Sequence, residues 1–200
     1  MPDRPVVPSN CFFQGSYNPI FEAEILKCKD KCFRYNSLLP SDLEAKDFLL
    51  RQILGKAGKG AVITPPFWCD YGYNIFVGDN FYSNHNLVVN DGLPVTFGDN
   101  VFIAPNCTFT TAEHALDPDM RKAGIEKAKP ITVGDNVWIG AGSIVLAGAV
   151  IGSDTVIGAG SVVKGEIPSG VLAVGVPCKV KRKITEEDRH RYPMYTGKYV

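Results

Sequence analysis

The apolar positions in the C-terminal half of the chain fall on a six-residue beat. Val133, Ile139, Val145, Ile151, Ile157 and Val163 take every sixth place without a gap. Four residues after these stand Val137, Ser143, Ala149, Thr155 and Ser161, all small or β-branched, and Gly134, Gly140, Gly152 and Gly158 directly follow the apolar position. Neither the 3.6-residue period of a helix nor the alternation of a sheet produces this beat. Hexapeptide repeats mark a parallel β-helix, in which short strands coil around a prism. Three hexads per turn predict that Val133 stacks on Ile151, Ile139 on Ile157 and Val145 on Val163. Each such aliphatic, once buried, contributes roughly 1.5–3 kcal/mol before entropy.

The beat extends upstream. Val77, Ser83 and Val89 share one register, and Phe97, Ile103 and Phe109 another. The two are offset by two residues, which places a small insertion near Asp91-Gly92-Leu93-Pro94. Phe109 is in register with Val133, so the segment from about Ala112 to Pro130 is expected as a loop ejected from the prism, at about 112–130. It carries His114, and loops of that length in compact domains are usually functional. Before residue 60 the pattern changes. Residues 1–18 read as irregular. Pro19 to Tyr35 reads as a charged helix ended by Asn36, and Pro40 with Ser41 or Asp42 starts a second helix running to about Leu54. Leu43, Leu49, Leu50, Ile53 and Leu54 form its apolar face. Gly55-Lys56-Ala57-Gly58-Lys59-Gly60 lacks the Gly-Lys-Ser/Thr of a phosphate loop and reads as a helix stop and turn. The expected division is therefore a helical segment over 1–60 on the acceptor side, a mainly β domain over 61–183 and a tail over 184–200.

Charge and cysteine usage narrow the function classes. The 200 residues carry 21 basic and 21 acidic side chains, a formal net charge of zero, which removes the electrostatic footprint of a nucleic-acid binder. No apolar run approaches the roughly 18 residues of a spanning helix, and Met1 to Asn10 lacks a signal-peptide core. A cytoplasmic protein without membrane attachment is expected. Six cysteines are scattered without a Cys-x-x-Cys pair. Cys28 and Cys32 lie one helical turn apart, with no second pair to complete a zinc site, so the reading is free thiols in a reducing cytosol and no metal requirement.

Six segments carry a specific resemblance. They are Cys69-Asp70-Tyr71-Gly72-Tyr73-Asn74-Ile75, Gly78-Asp79-Asn80-Phe81-Tyr82-Ser83-Asn84, Ile103-Ala104-Pro105-Asn106, Thr111-Ala112-Glu113-His114-Ala115-Leu116-Asp117-Pro118, Pro130-Ile131-Thr132-Val133-Gly134-Asp135-Asn136-Val137-Trp138-Ile139-Gly140 and Val174-Gly175-Val176-Pro177-Cys178-Lys179. In this order they resemble the maltose and galactoside O-acetyltransferases of the hexapeptide-repeat superfamily. Crossovers between parallel strands are nearly always right-handed, so periodicity alone does not predict handedness. The resemblance implies a left-handed parallel β-helix, a homotrimer, and acetyl-CoA and acceptor sites in clefts between neighbouring prisms.

It also implies roles. His114 matches the catalytic histidine, suited as general base for moving acetyl from a thioester to a hydroxyl because imidazole titrates near neutral pH. Asn84 matches the position that stabilises the tetrahedral oxyanion. No acetyl-enzyme is needed; direct transfer in a ternary complex suffices. Ala141 and Ala159 match backbone contacts to the pantetheine arm of acetyl-CoA, Trp138 a packing contact, and Lys179 and Arg182 phosphate contacts. Asp70, Asp91 and Tyr82 match acceptor-pocket positions. Ser16, Ile25 and Gly92 replace charged acceptor ligands of the galactoside branch, Lys164 replaces a threonine, and Asp70 resembles the maltose branch. The expected activity is O-acetylation of a maltose-, glucose- or galactoside-like sugar. A non-sugar hydroxyl acceptor, such as an antibiotic or amino alcohol, and a silent β-helix assembly subunit are the alternatives. A prism-shaped carbonic anhydrase needs three clustered histidines around zinc, and His85, His114 and His190 do not supply them.

Overall fold

The computed structural model describes residues 7–193. Its centre is a three-sided parallel β-helix. The first face stacks Lys56–Ala57, Ile75–Val77, Val95–Phe97, Ile131–Val133, Val150–Ile151 and Glu166–Ile167. The second stacks Val62–Ile63, Tyr82–Ser83, Phe102–Ile103, Trp138–Ile139, Val156–Ile157 and Val171–Val174, and Lys179–Lys183 folds back antiparallel on the last of these. The third stacks Phe67–Cys69, Leu87–Asn90, Thr108–Thr110, Ile144–Val145 and Val162–Val163. Val133 pairs with Ile151, Ile139 with Ile157 and Val145 with Val163, as the hexads predict.

The inward positions of all three faces form one core, with Ile103, Phe109, Ile131, Ile139 and Ile151 fully buried. Val137, Ser143, Ala149, Thr155 and Ser161 are buried too. Their small size lets the coil turn inside the prism, and Ser143 and Ser161 donate to the carbonyls of Gly140 and Gly158 at 2.7 and 2.6 Å. Glycine after the apolar position has a steric cause. A Cβ on Gly140 would stand 2.5 Å from the backbone nitrogen of Ala159 in the next coil.

Lower coils repeat every 20 residues, upper ones every 18, and the last turn closes at 16. The extra residues fall at the edge joining the third face to the first, at 91–94 as the sequence predicts and again at 70–74. The second slip belongs to a first coil that already begins at Lys56, within the stretch read from sequence as a helix stop. The same edge emits the 112–130 segment, which is not a structureless loop. Ala112–His114 and Ile125–Ala128 pair antiparallel around a short helix, Pro118–Lys122. Phe12–Gln14, expected to be irregular, adds a third strand to this hairpin.

Helix α1 (Pro19–Asn36) starts at Asn18, whose side chain accepts from the Ile20 N–H, and α2 (Leu43–Ile53) at Asp42, which accepts from Ala45. Helix α1 lies on the Phe67–Cys69 strand. Asn36 imitates a strand neighbour there, exchanging hydrogen bonds with the N–H and C=O of Phe67 at 2.9 and 3.0 Å. Leu50, Ile53 and Leu54 are buried, whereas Leu43, expected on the same face, is exposed. No described helix is long and apolar enough to cross a membrane.

Candidate active site at the interrupted edge

The three interruptions stack on one edge, and each brings chemistry to it. The 70–74 turn presents Asp70, whose carboxylate accepts from Lys29 Nζ at 3.1 Å and Asn90 Nδ2 at 2.9 Å. A cation on α1 and an amide in the next coil therefore fix it. Asp91, expected to line the acceptor pocket, is fully buried instead. Leaving the coil strips ladder partners from the N–H groups of Asp70 and Tyr71, and Asp91 Oδ1 accepts both at 2.9 Å. Its Oδ2 has no hydrogen-bond partner, and burial pushes the carboxyl up to about 7. Asp91 supports Asp70 from beneath, and Gly92 is the member of that insertion at the pocket surface.

His114 closes the first strand of the hairpin, opposite Glu126 in the antiparallel register. Its Nδ1 lies 3.6 Å from Glu126 Oε1. The same oxygen accepts a short hydrogen bond from Ser16, which pins the carboxylate against the histidine. A cavity of about 360 Å³ opens here, with Asp70, Tyr71, Asn90, Gly92, His114 and Glu126 in its wall. A second cavity of about 540 Å³ lies across the hairpin and includes His114, Phe12, Met120, Lys127 and Lys164. His114 is the side chain through which a carboxylate-lined hollow and a lysine-bearing one communicate, together with its neighbour Glu113.

The remaining expected residues lie elsewhere on the chain. Asn84 sits on the edge between second and third faces, where Ala141 and Ala159 are exposed in higher coils. Gly160 donates to the Ala141 carbonyl at 2.8 Å, part of the stacked turns of this edge. Asn84 Oδ1 accepts from the His85 N–H at 2.8 Å. Tyr82 and Trp138 point out of the second face in register with Phe102. Lys179 and Arg182 are on the returning strand, and Arg182 grips Asp188 with two hydrogen bonds of 2.7 and 2.6 Å, which hold the aspartate down at about 2. Thus one chain brings His114 and Asp70 to a shared cavity, and keeps Asn84, Ala141 and Ala159 on a different edge.

Sequence reasoning overlooked Glu126, Asn90 and Lys29. Glu126 had a signal, since a hairpin reading of the ejected segment places positions 114 and 126 symmetrically about its tip. Asn90 and Lys29 are recognisable only once coils and helix are stacked.

Comparison with known proteins bears on the fold and the family. Residues 130–165 match the bacterial transferase hexapeptide model (six repeats), and residues 13–58 match the maltose acetyltransferase hexapeptide capping motif. A Saccharomyces cerevisiae protein bearing an acetyltransferase name is 49% identical over 183 residues, 92% of this chain and 93% of that one. The galactoside O-acetyltransferase of Escherichia coli is 42% identical over 167 residues, 84% of this chain and 82% of its own. Among solved structures, a galactoside acetyltransferase in complex with coenzyme A superposes with a TM-score of 0.86 at 39% identity, covering 94% of both chains. A maltose O-acetyltransferase from Clostridium difficile gives 0.82 at 43%, covering 84% of this chain and 90% of that one. With its left-handed β-helix, helical cap and ejected hairpin, this chain belongs to the maltose and galactoside O-acetyltransferase family of hexapeptide-repeat transferases.

Proposed function

We propose that the protein moves the acetyl group of acetyl-CoA onto a hydroxyl of a sugar, by direct attack in a ternary complex, at a site completed by a neighbouring copy in a homotrimer. The observation that carries this reading is His114, common to two cavities and backed by Glu126. The acceptor occupies the hollow where the Asp70 carboxylate accepts from a sugar hydroxyl. Acetyl-CoA approaches from the other side, with Lys164 near its path. The hydroxyl oxygen attacks the thioester carbonyl while His114 Nε2 takes its proton. The new C–O bond forms, the C–S bond breaks, and the departing thiolate recovers the proton from the imidazolium. Glu126 beside Nδ1 selects the tautomer with Nε2 unprotonated and stabilises the imidazolium. A galactoside acetyltransferase solved with coenzyme A and a related acetyltransferase solved with acetyl-CoA support the donor.

The trimer reading rests on two features. The second face exposes Val62, Tyr82, Phe102 and Trp138 side by side, an apolar stripe of the kind an assembly covers. In addition, the oxyanion donor Asn84 lies on a different edge from His114, so a neighbouring prism must supply it. The six free cysteines fit a reducing cytoplasm.

Release of CoA thiol in the presence of mono- and disaccharides, serine and antibiotics tests the activity. No release with any acceptor leaves an assembly subunit, and release with non-sugars alone changes the acceptor class. Mixing His114→Ala and Asn84→Ala chains tests the shared site. Trimers reassembled from both regain turnover that neither has alone, because some clefts then receive both native side chains. No recovery would place each site within one chain.

A further inference from the structure

Three of the six thiols converge in the interior, away from His114. Cys28 and Cys32 lie on one face of α1, a helical turn apart, and Cys69 ends the strand beneath them. Cys69 Sγ is 3.5 Å from that of Cys28 and 3.6 Å from that of Cys32, and all three sulfurs lie within 4.8 Å of one another. The sequence offers only the pair on the helix; folding brings the third ligand from 37 residues away.

We propose that Cys28, Cys32 and Cys69 bind a thiophilic metal ion, Zn(II) or Cu(I), which ties the helical cap to the first coil. Sulfurs around a zinc ion at about 2.3 Å stand about 3.8 Å apart, and both contacts of Cys69 lie within a few tenths of an ångström of that spacing. Soft thiolates select these two ions over the hard cations. Binding an ion releases the thiol protons to solvent, so loading strengthens as the pH rises. There is also a way in. Cys28, 4% exposed, lines a surface hollow of about 330 Å³ walled by Glu24, Asp30, Tyr71 and Tyr73. Three thiolates complete the shell of Cu(I), whereas Zn(II) needs a fourth ligand from outside the trio.

The test uses the full chain, purified anaerobically with its thiols reduced, and titrated separately with Zn(II) and Cu(I). Co(II) and Cd(II) serve as optical reporters. One ion per chain, a sulfur-to-metal charge-transfer band, and a higher Tm on loading are expected. Cys69→Ser should abolish the band and the Tm gain, and Cys11→Ser, outside the trio, should keep both. Cys28→Ser, at the rim of the hollow, provides the same readout should Cys69→Ser fail to fold. The ion that loads at stoichiometric concentration identifies the site as a zinc or a copper one. The proposal is overturned by no band at stoichiometric ion, by a band that survives Cys28→Ser, or by an intramolecular disulfide forming in place of binding.

Discussion

Two edges of the same prism are built from the same coils and treated oppositely. Where the first face meets the second, every coil turns through one residue of positive φ: Gly60, Asn80, Asn100, Asn136, Asp154 and Gly170. The amide of Asn80 donates to Asn100, Asn100 to Asn136 and Asn136 to Asp154, at 3.0, 3.1 and 2.9 Å. Nothing is inserted at this edge. Where the third face returns to the first, three of the turns are interrupted, and the two short interruptions recruit their own side-chain acceptors. Asp91 takes the N–H groups of Asp70 and Tyr71, and Thr111 Oγ1 takes that of Leu93 at 3.1 Å. A ladder running from coil to coil makes an edge intolerant of extra residues, because one misplaced amide unpairs its neighbours above and below. Insertions, and with them Asp70 and His114, accumulate away from this ladder.

This contrast can be broken from either side. His114→Ala, on the interrupted edge, should lower kcat for CoA release by about 10²–10⁴-fold and leave Tm and mass in light scattering unchanged. Full activity in that variant would remove the proposed base. Ile139→Ala, in the core both edges share, should cost about 2–5 kcal/mol, read as a large fall in Tm. Asn100→Ala, mid-ladder with a φ of 54°, should cost roughly 1–2 kcal/mol from left-handed backbone strain, plus the lost amide links, while activity at low temperature persists. Asn100→Gly should cost less, and equal losses for Ala and Gly would assign the effect to the amide rather than the backbone. The effect of Asp91→Asn is read in pH dependence rather than in activity. Burial raises the Asp91 carboxyl to about 7, above the roughly 3.9 of an unfolded chain. The folded state then holds a proton that the unfolded state lacks, so stability is full below about pH 4 and falls as the pH rises towards 7. In chelator-treated protein, Asp91→Asn should flatten the slope of Tm against pH over that interval.

The stacked faces were legible in the sequence because a six-residue period has one structural meaning and the inward residues carry it directly. The slip near Asp91 was legible for the same reason. Its twin at 70–74 escaped because the first coil is short-stranded and opens inside a glycine-rich stretch that local rules assign to a turn. His114 was readable from the family-like segment around it, whereas Glu126 needed the hairpin register. Asp91, assigned to the acceptor pocket by resemblance, lies buried instead, and only the stacked coils show the two N–H groups awaiting it. The thiol trio was half visible, its helical pair by spacing and its third member only by folding.

The strand Phe12–Gln14 has a consequence in time. It is held to the His114 hairpin by residues such as Ser16 and Glu126, separated by 110 positions. During synthesis this strand emerges long before its partner exists, and closing so large a loop gains little until the coils between them have stacked. The hairpin that presents His114 is therefore assembled last, and as a thin three-stranded sheet outside the core it opens first. On gentle heating, turnover should fade while the β-helix still gives its full circular dichroism.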